Sequence, residues 1–321
     1  MWGVGVLSLH IHASVQTSLQ QCTLQVRPWA AVRPCCFLVS LDCHRFQISG
    51  QLEEVDSKWR EFDGSTVALM VIKHCPLVAI PDTFNEFHEL ISVKIYNSTI
   101  VDWRESAAIT NTNHPAFLTL MVFCATNLRQ VPDDLDLKWL AGSIVIIEYS
   151  QLQVVPQALL RVMPSYFSLT GNPISELPPE IFEIEGLTDL GIGDTNIREL
   201  PQNVTQLSPA LSSIYVIGTR ISLFWSWVDD ILGRDSIRSI PRAIYAGNTI
   251  YCDDLKRIST KLTSSCSTVT SSDYSLQLMD PAEAGFEGSI WSFVECNPAI
   301  SGLSGPLYPL APEDKQNALH S

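Results

Sequence analysis

The chain has no run of the roughly 18 to 20 apolar residues needed to cross a bilayer core, although it is 46% hydrophobic over 321 residues. Its longest apolar stretches, such as Cys35 to Val39 and Ile144 to Ile147, fit buried strands instead. Basic residues are scarce: 20 against 34 acidic ones give a formal net charge of -14, an anionic surface that repels a phosphate backbone and makes nucleic acid a poor partner. No close C-x-x-C pairing occurs among the nine cysteines, so no zinc site is expected. Nothing in the composition suggests disorder, and the length suffices for one large domain or two small ones.

Catalytic signatures are also missing. There is no G-x-S-x-G, H-E-x-x-H or G-x-x-x-x-G-K-[ST], which leaves hydrolase, metalloprotease and nucleotide-loop chemistry without an anchor. His74-Cys75-Pro76 resembles the start of a cysteine-phosphatase loop, but the arginine required six residues after the cysteine falls at Pro81. Asp134-Leu135-Asp136 is a D-x-D triplet in a chain full of acids and reads as a surface segment. The expectation is a non-enzymatic protein with no cofactor and no metal.

What is present is a repeat of the form L-x-x-L-x-L-x-x-N-x-L, followed three residues later by an apolar residue and usually proline. The fourth, sixth and ninth positions read Met70, Ile72, Cys75; Val93, Ile95, Ser98; Met121, Phe123, Thr126; Val145, Ile147, Ser150; Phe167, Leu169, Asn172; Leu190, Ile192, Thr195; and Ile214, Val216, Thr219. The repeats begin at Val67, Leu90, Leu118, Gly142, Pro164, Leu187 and Leu211, so successive starts are 23, 28, 24, 22, 23 and 24 residues apart. This register predicts an α/β leucine-rich-repeat solenoid, a horseshoe with a parallel sheet on its concave face and irregular or short helical convex segments, capped at both ends. The fourth and sixth side chains share one face of a short strand and point inward. The ninth turns the chain, where a small polar group satisfies backbone the strand leaves unpaired, and Asn172 should do this best. Proline at the fifteenth position cannot continue a ladder and starts the convex side.

The organisation expected from this register is a poorly defined segment over 1–34 and an N-terminal cap over 35–66. The solenoid of about seven repeats follows over 67–233, then a C-terminal cap region with cysteines over 234–297 and an extended tail over 298–321. Phe224-Trp225-Ser226-Trp227-Val228-Asp229-Asp230-Ile231-Leu232 has helix-like apolar spacing suited to closing the last repeat. Beyond it, a disulfide between Cys252 and Cys266 is the sensible cross-link in an oxidising compartment, with Cys296 left over and the connectivity open. The sequons Asn97-Ser98-Thr99 and Asn203-Val204-Thr205 accept glycans if the chain enters the secretory pathway. Trp2 to Leu7 is apolar like a short signal-peptide core but follows no basic segment, which a truncated start explains equally well.

Outward strand positions, the third, fifth, seventh and eighth, line the concave face that solenoids commonly use for binding. They are apolar in the first, third and fourth repeats and carry four tyrosines, which is what protein interfaces select. Leu69, Val71, Tyr96, Val122, Ile146, Tyr149, Tyr166 and Tyr215 are the expected contacts for a protein ligand. The alternative is a scaffold or ectodomain portion of a larger membrane protein, its concave face covered by another part of the chain. Asn97 lies on the concave rim, where a glycan would obstruct a partner; Asn203, in a convex segment, is the better acceptor.

Several stretches resemble a family of oomycete leucine-rich-repeat proteins that carry a WLGC domain. They are Arg33-Pro34-Cys35-Cys36-Phe37-Leu38-Val39-Ser40-Leu41, Ile95-Tyr96-Asn97-Ser98-Thr99-Ile100, Asn113-His114-Pro115, Leu135-Asp136-Leu137-Lys138-Trp139 and Phe224-Trp225-Ser226-Trp227, spread from about residue 33 to residue 227. The resemblance implies binding and membrane association through segments upstream of this chain, without identifying a ligand. A membrane-associated or secreted location is therefore expected over a cytoplasmic one.

Overall fold

The structure, a computed structural model, describes residues 2–15, 17–29, 31–116, 119–232, 243–259, 273–280 and 289–297. Leu118, Cys266, most of the Ser/Thr-rich stretch after Ser259 and the tail from residue 298 lie outside the described residues. The chain divides into two compact units, one formed by residues 1–128 and 136–143 and the other by 129–135 and 144–321.

In the N-terminal unit, β1 (Cys22–Val26) pairs antiparallel with β2 (Cys35–Asp42), and β2 pairs parallel with β3 (Leu69–Lys73). After the short β4 (Val78–Ile80), the sheet continues in parallel through β5 (Ser92–Ser98), which is followed by β6 (Ile100–Trp103), and then β7 (Leu120–Thr126). The register matches repeat position to repeat position: Met70 pairs with Val93 and Val93 with Met121, Ile72 with Ile95 and Ile95 with Phe123. All six of these side chains are buried. Each contributes about 1.5 to 3 kcal/mol of apolar burial that a single repeat could not achieve alone. Beneath them the aromatic rings of Trp59, Phe84 and Phe87 meet edge to face or tilted, with centroids 5.2 to 5.8 Å apart.

Two features of this unit differ from the sequence expectation. The segment expected to cap the first repeat supplies a parallel strand of its own, β2, with Val39 opposite Met70 and Leu41 opposite Ile72. The edge beyond it is covered by the antiparallel β1, joined to β2 by the Cys22–Cys36 disulfide. The first two convex segments also form a two-stranded parallel sheet, β4 with β6, which buries Val78 and Ile80 and leaves Leu77 39% exposed.

The C-terminal unit carries β8 (Ile144–Glu148), β9 (Tyr166–Ser168), β10 (Asp189–Gly191), β11 (Ser213–Tyr215), β12 (Ile244–Tyr245) and β13 (Val294–Glu295), each parallel to the next. The ladder thus runs past the seventh repeat. Ile244 stands opposite Ile214, which makes Ala246 and Thr249 the sixth and ninth positions of an eighth repeat. The aromatic segment after Phe224 forms a turn of 3-10 helix over Ser226–Val228 and a turn of α-helix over Asp229–Leu232. Its rings are buried as expected. They sit on the convex side of the seventh repeat, with Trp225 Nε1 donating to Leu200 O at 2.8 Å and Trp227 Nε1 to Pro201 O at 2.9 Å.

Cys252 bonds to Cys296 rather than to Cys266. The reason is the added strands: helix Ile250–Ser259 follows β12, Cys296 follows β13, and the pairing of Tyr245 with Glu295 brings the two Cα atoms to 5.6 Å. Cys75, read as a turn residue, occupies that turn and is also bonded to Cys43. Three disulfides among the described residues are cross-links of the kind formed in an oxidising compartment. No helix among the described residues is long and apolar enough to cross a membrane.

Candidate functional site

The display of the concave face depends on how each strand ends. His74, Asn97, Ala125, Tyr149, Asp194 and Asn248, together with Gly171 and Gly218, all have positive φ between 43° and 73°. Each is the eighth residue of its repeat. A left-handed residue there breaks the strand and swings the ninth side chain inward, at a cost of about 1 to 2 kcal/mol for a residue other than glycine. The ninth side chain then caps the backbone: Thr195, Thr219 and Thr249 each donate to the carbonyl of the sixth residue at 2.7 to 2.8 Å. Asn172 Nδ2 makes the same bond to Leu169 O at 2.8 Å. It also reaches the preceding repeat, donating to Ile147 O at 2.7 Å and accepting from Leu152 N at 3.1 Å.

The eight residues expected to meet a partner divide into two groups. Tyr96, Val122 and Ile146 are only 1 to 2% exposed and Tyr215 is 9% exposed, so none of the four presents much surface. Leu69, Val71, Tyr149 and Tyr166 are half-buried and reachable. Asn97 and Asn203 are both exposed.

In the N-terminal unit the outward positions hold bases with partners. Asp42 receives His74 Nδ1 at 3.1 Å and Lys73 Nζ at 3.6 Å, and Lys94 Nζ lies 5.3 Å from the centroid of the Tyr96 ring. The C-terminal unit differs: from Ile144 to Gly218, and on through Tyr245 and Glu295, its outward positions contain no lysine, arginine or histidine. Tyrosines and carboxylates take their place. Tyr149 OH donates to Asp194 Oδ2 at 3.0 Å, and the ring of Tyr149 lies over Gly171 so closely that a Cβ there would come within 2.3 Å of it. Asp189 Oδ1 accepts from Tyr215 OH at 3.3 Å and Oδ2 from Thr188 Oγ1 at 2.7 Å. The Tyr215 and Tyr245 rings stack at 4.6 Å.

The electrostatics follow from that arrangement. Burial, and then the negative charges of Asp189 and Glu148, push the Tyr166 phenol far above its ordinary value. Burial and Asp189 do the same to Tyr215, so both rings remain neutral donors over the physiological range. Ser168 Oγ donates to the buried Glu148 carboxylate. Ser213, fully buried and opposite Asp189 in the ladder, lies against the Tyr215 phenol and works against the upward push on that group. Among the described residues, no group of three or more His, Cys, Asp and Glu is arranged to hold a metal ion.

Weighting the apolar outward positions directed attention to Val122 and Ile146, which turn out to be packed. A feature legible in the sequence but not weighed there is the lack of any base in the outward columns of the fourth to seventh repeats. Tyr245 and Glu295 were beyond reach of that reading, since their strands lie outside the recognised repeats.

Models of known protein families and curated proteins were both compared with the chain, and none matches. Among solved structures, the chain is similar to a leucine-rich-repeat protein of Leptospira interrogans, at 15% identity and a TM-score of 0.47. The match covers 63% of this chain and 47% of that one, so it spans less than half the length of the Leptospira protein. The leucine-rich-repeat fold of this chain follows from its own register: parallel strands paired position by position, buried fourth and sixth residues, a left-handed eighth and a capping ninth.

Proposed function

We propose that the chain is a non-enzymatic protein-interaction module that binds its partner through the concave sheet. The observation that carries this reading is the set of large outward side chains, Leu69, Val71, Tyr149 and Tyr166, held partly exposed on strands whose ends are fixed by the left-handed column. Aromatic groups fixed in this way lose little conformational entropy when a partner covers them. Tyr166→Ala and the pair Leu69→Ala with Val71→Ala test the face one unit at a time, by quantitative recovery of partners from the native source. Either variant, still folded by circular dichroism, should lose at least tenfold in recovery of a protein captured by the unsubstituted chain. Unchanged recovery with both overturns the reading.

The burial of Tyr96, Val122 and Ile146 favours a second reading for that part of the face, in which it is occupied within the chain itself. The protein is then a scaffold or the ectodomain portion of a larger membrane protein, a setting in keeping with the three disulfides among its described residues and with the resemblance noted in its sequence. Glycan mapping bears on both readings, because an occupied Asn97 moves binding off the concave rim, whereas an occupied Asn203 does not.

A further inference from the structure

We propose that the N-terminal end of the chain docks on an anionic lipid bilayer, with helix α1 (Trp2–Ser14) entering one leaflet while Arg27 and Arg33 meet the headgroups. This surface is separate from the concave face and belongs to the chain's own residues.

Three observations of different kinds support it. The first is exposure. Trp2, Val4, Leu7, Leu9 and Ile11 are 42 to 88% exposed, and Ala13 is the one buried residue of the helix. A Cβ built on Gly3 or Gly5 would meet nothing within 4 Å, so no other part of the chain packs there. The second is the helix itself. A helix of 13 residues that includes two glycines and two valines is marginal in water, and here only its last turn meets the folded body. An apolar medium removes the competition of water for backbone hydrogen bonds and favours such a helix. Its polar residues, Ser8, His10, His12 and Ser14, gather in the C-terminal half, so the apolar tip is the part suited to enter lipid. At 1.5 Å per residue α1 is about 20 Å long, short of the roughly 30 Å hydrocarbon core, which limits it to one leaflet and its headgroups.

The third is charge. All 34 acids lie from Asp42 onward, and the 41 residues before it carry Arg27 and Arg33 with no acid among them. This end is therefore basic in a chain of net charge -14 and complements an anionic lipid surface. Both arginines are exposed, as are Trp29 and Val32, which lie between them in sequence. Tryptophan and arginine are the side chains that bilayer interfaces accommodate best. Arg27 also fastens α1 to this loop, its guanidinium donating to Ser14 O at 3.1 Å, and Gln25 Nε2 donates to Thr17 O at 3.0 Å. Glu61 and Asp63 reach the same end but are engaged, Glu61 by Lys58 and Gln21 and Asp63 by Ser65. A second copy of the chain fits less well as the occupant, because a two-fold contact here sets the arginines against their own counterparts.

The test is flotation of the full chain with phosphatidylcholine–phosphatidylserine vesicles and with phosphatidylcholine vesicles, at low and physiological salt. The chain should float with the anionic vesicles and at least fivefold more weakly with the neutral ones. Leu7→Ser with Leu9→Ser should reduce flotation at least tenfold without moving the thermal midpoint. Arg27→Gln with Arg33→Gln should reduce it at least fivefold on anionic vesicles and leave the neutral ones unchanged. Val101→Ser with Leu137→Ser, a pair of exposed apolar residues elsewhere in the same unit, should change it by less than twofold. Equal losses in the two serine pairs, or flotation indifferent to lipid charge, overturn the proposal. A lipid-free dimer that the Leu7, Leu9 pair abolishes makes a second copy the occupant and overturns it too. So does protein from the native source that starts after Ser14, since α1 is then a removed leader. Flotation that depends on both α1 and the arginines supports the proposal whether or not the concave face captures a protein.

Discussion

Gly171→Ala and Ala125→Gly are reciprocal substitutions at the same place in two repeats, and the left-handed column predicts that they shift stability in opposite directions. Gly171 has φ +73°, and a Cβ added to it would lie 2.3 Å from one carbon of the Tyr149 ring and 2.7 Å from another. The left-handed conformation costs alanine about 1 to 2 kcal/mol, of which about 0.5 to 1 kcal/mol is offset by the smaller entropy of the unfolded chain. Displacing the ring adds about 1 to 3 kcal/mol, since Tyr149 must also give up its 3.0 Å bond to Asp194. The expected net destabilisation is about 2 to 3 kcal/mol. Ala125 has φ +54°, so glycine there relieves the same backbone strain. It should stabilise by about 0.5 to 1 kcal/mol. Ala108, with φ -66° and ψ 145°, is an ordinary position for comparison. Glycine there should destabilise by about 0.5 to 1 kcal/mol. The assay is the urea midpoint at constant m-value, which registers stability without a change in the surface exposed. Ala125→Gly behaving like Ala108→Gly, or a neutral Gly171→Ala, would show that the fold does not impose the left-handed geometry on the eighth position.

The other predictions concern the cap, the cross-link and the packed part of the face. Asn172→Ala removes three buried hydrogen bonds and should cost about 3 kcal/mol, whereas Thr195→Val removes one and should cost about 1 kcal/mol, both read by chemical denaturation. The Cys252→Ser, Cys296→Ser double variant opens a loop of sequence separation 44, which by chain entropy lowers stability by about 4 kcal/mol. Its thermal midpoint should fall, and that of Cys266→Ser should not. Val122→Asp places a charge at a residue only 2% exposed and should destabilise by more than about 3 kcal/mol, so a folded, stable variant would show that the position is open to solvent.

Much of the fold was legible because the repeat is a physical period. The fourth and sixth positions of the seven repeats face inward, and Met70, Ile95, Phe167, Leu190 and Val216 are all buried as that period requires. Strands β2, β12 and β13 were missed because their matched residues lie 31, 30 and 50 residues from those of the neighbouring strand, beyond the usual spacing of about 20 to 29. The same added strand explains the partner of Cys252. The left-handed column was hidden because glycine, asparagine, aspartate, alanine, histidine and tyrosine share no side-chain signature; the turn imposes their backbone angle. Position in the repeat told which side Val122, Ile146, Tyr96 and Tyr215 occupy, but not how far neighbouring side chains close over them.

The central claim is that a protein partner meets the concave sheet, and site-specific photo-crosslinking from its C-terminal unit tests it most directly. A benzophenone side chain would be placed in turn at Tyr166 and Asp194, outward on that face, and at Gln202 and Gln206, exposed in the convex segment after Pro201. Covalent capture of the same protein from Tyr166 and Asp194, and of none from Gln202 or Gln206, is the predicted result. Capture from Gln202 and Gln206 with none from Tyr166 or Asp194 would contradict it.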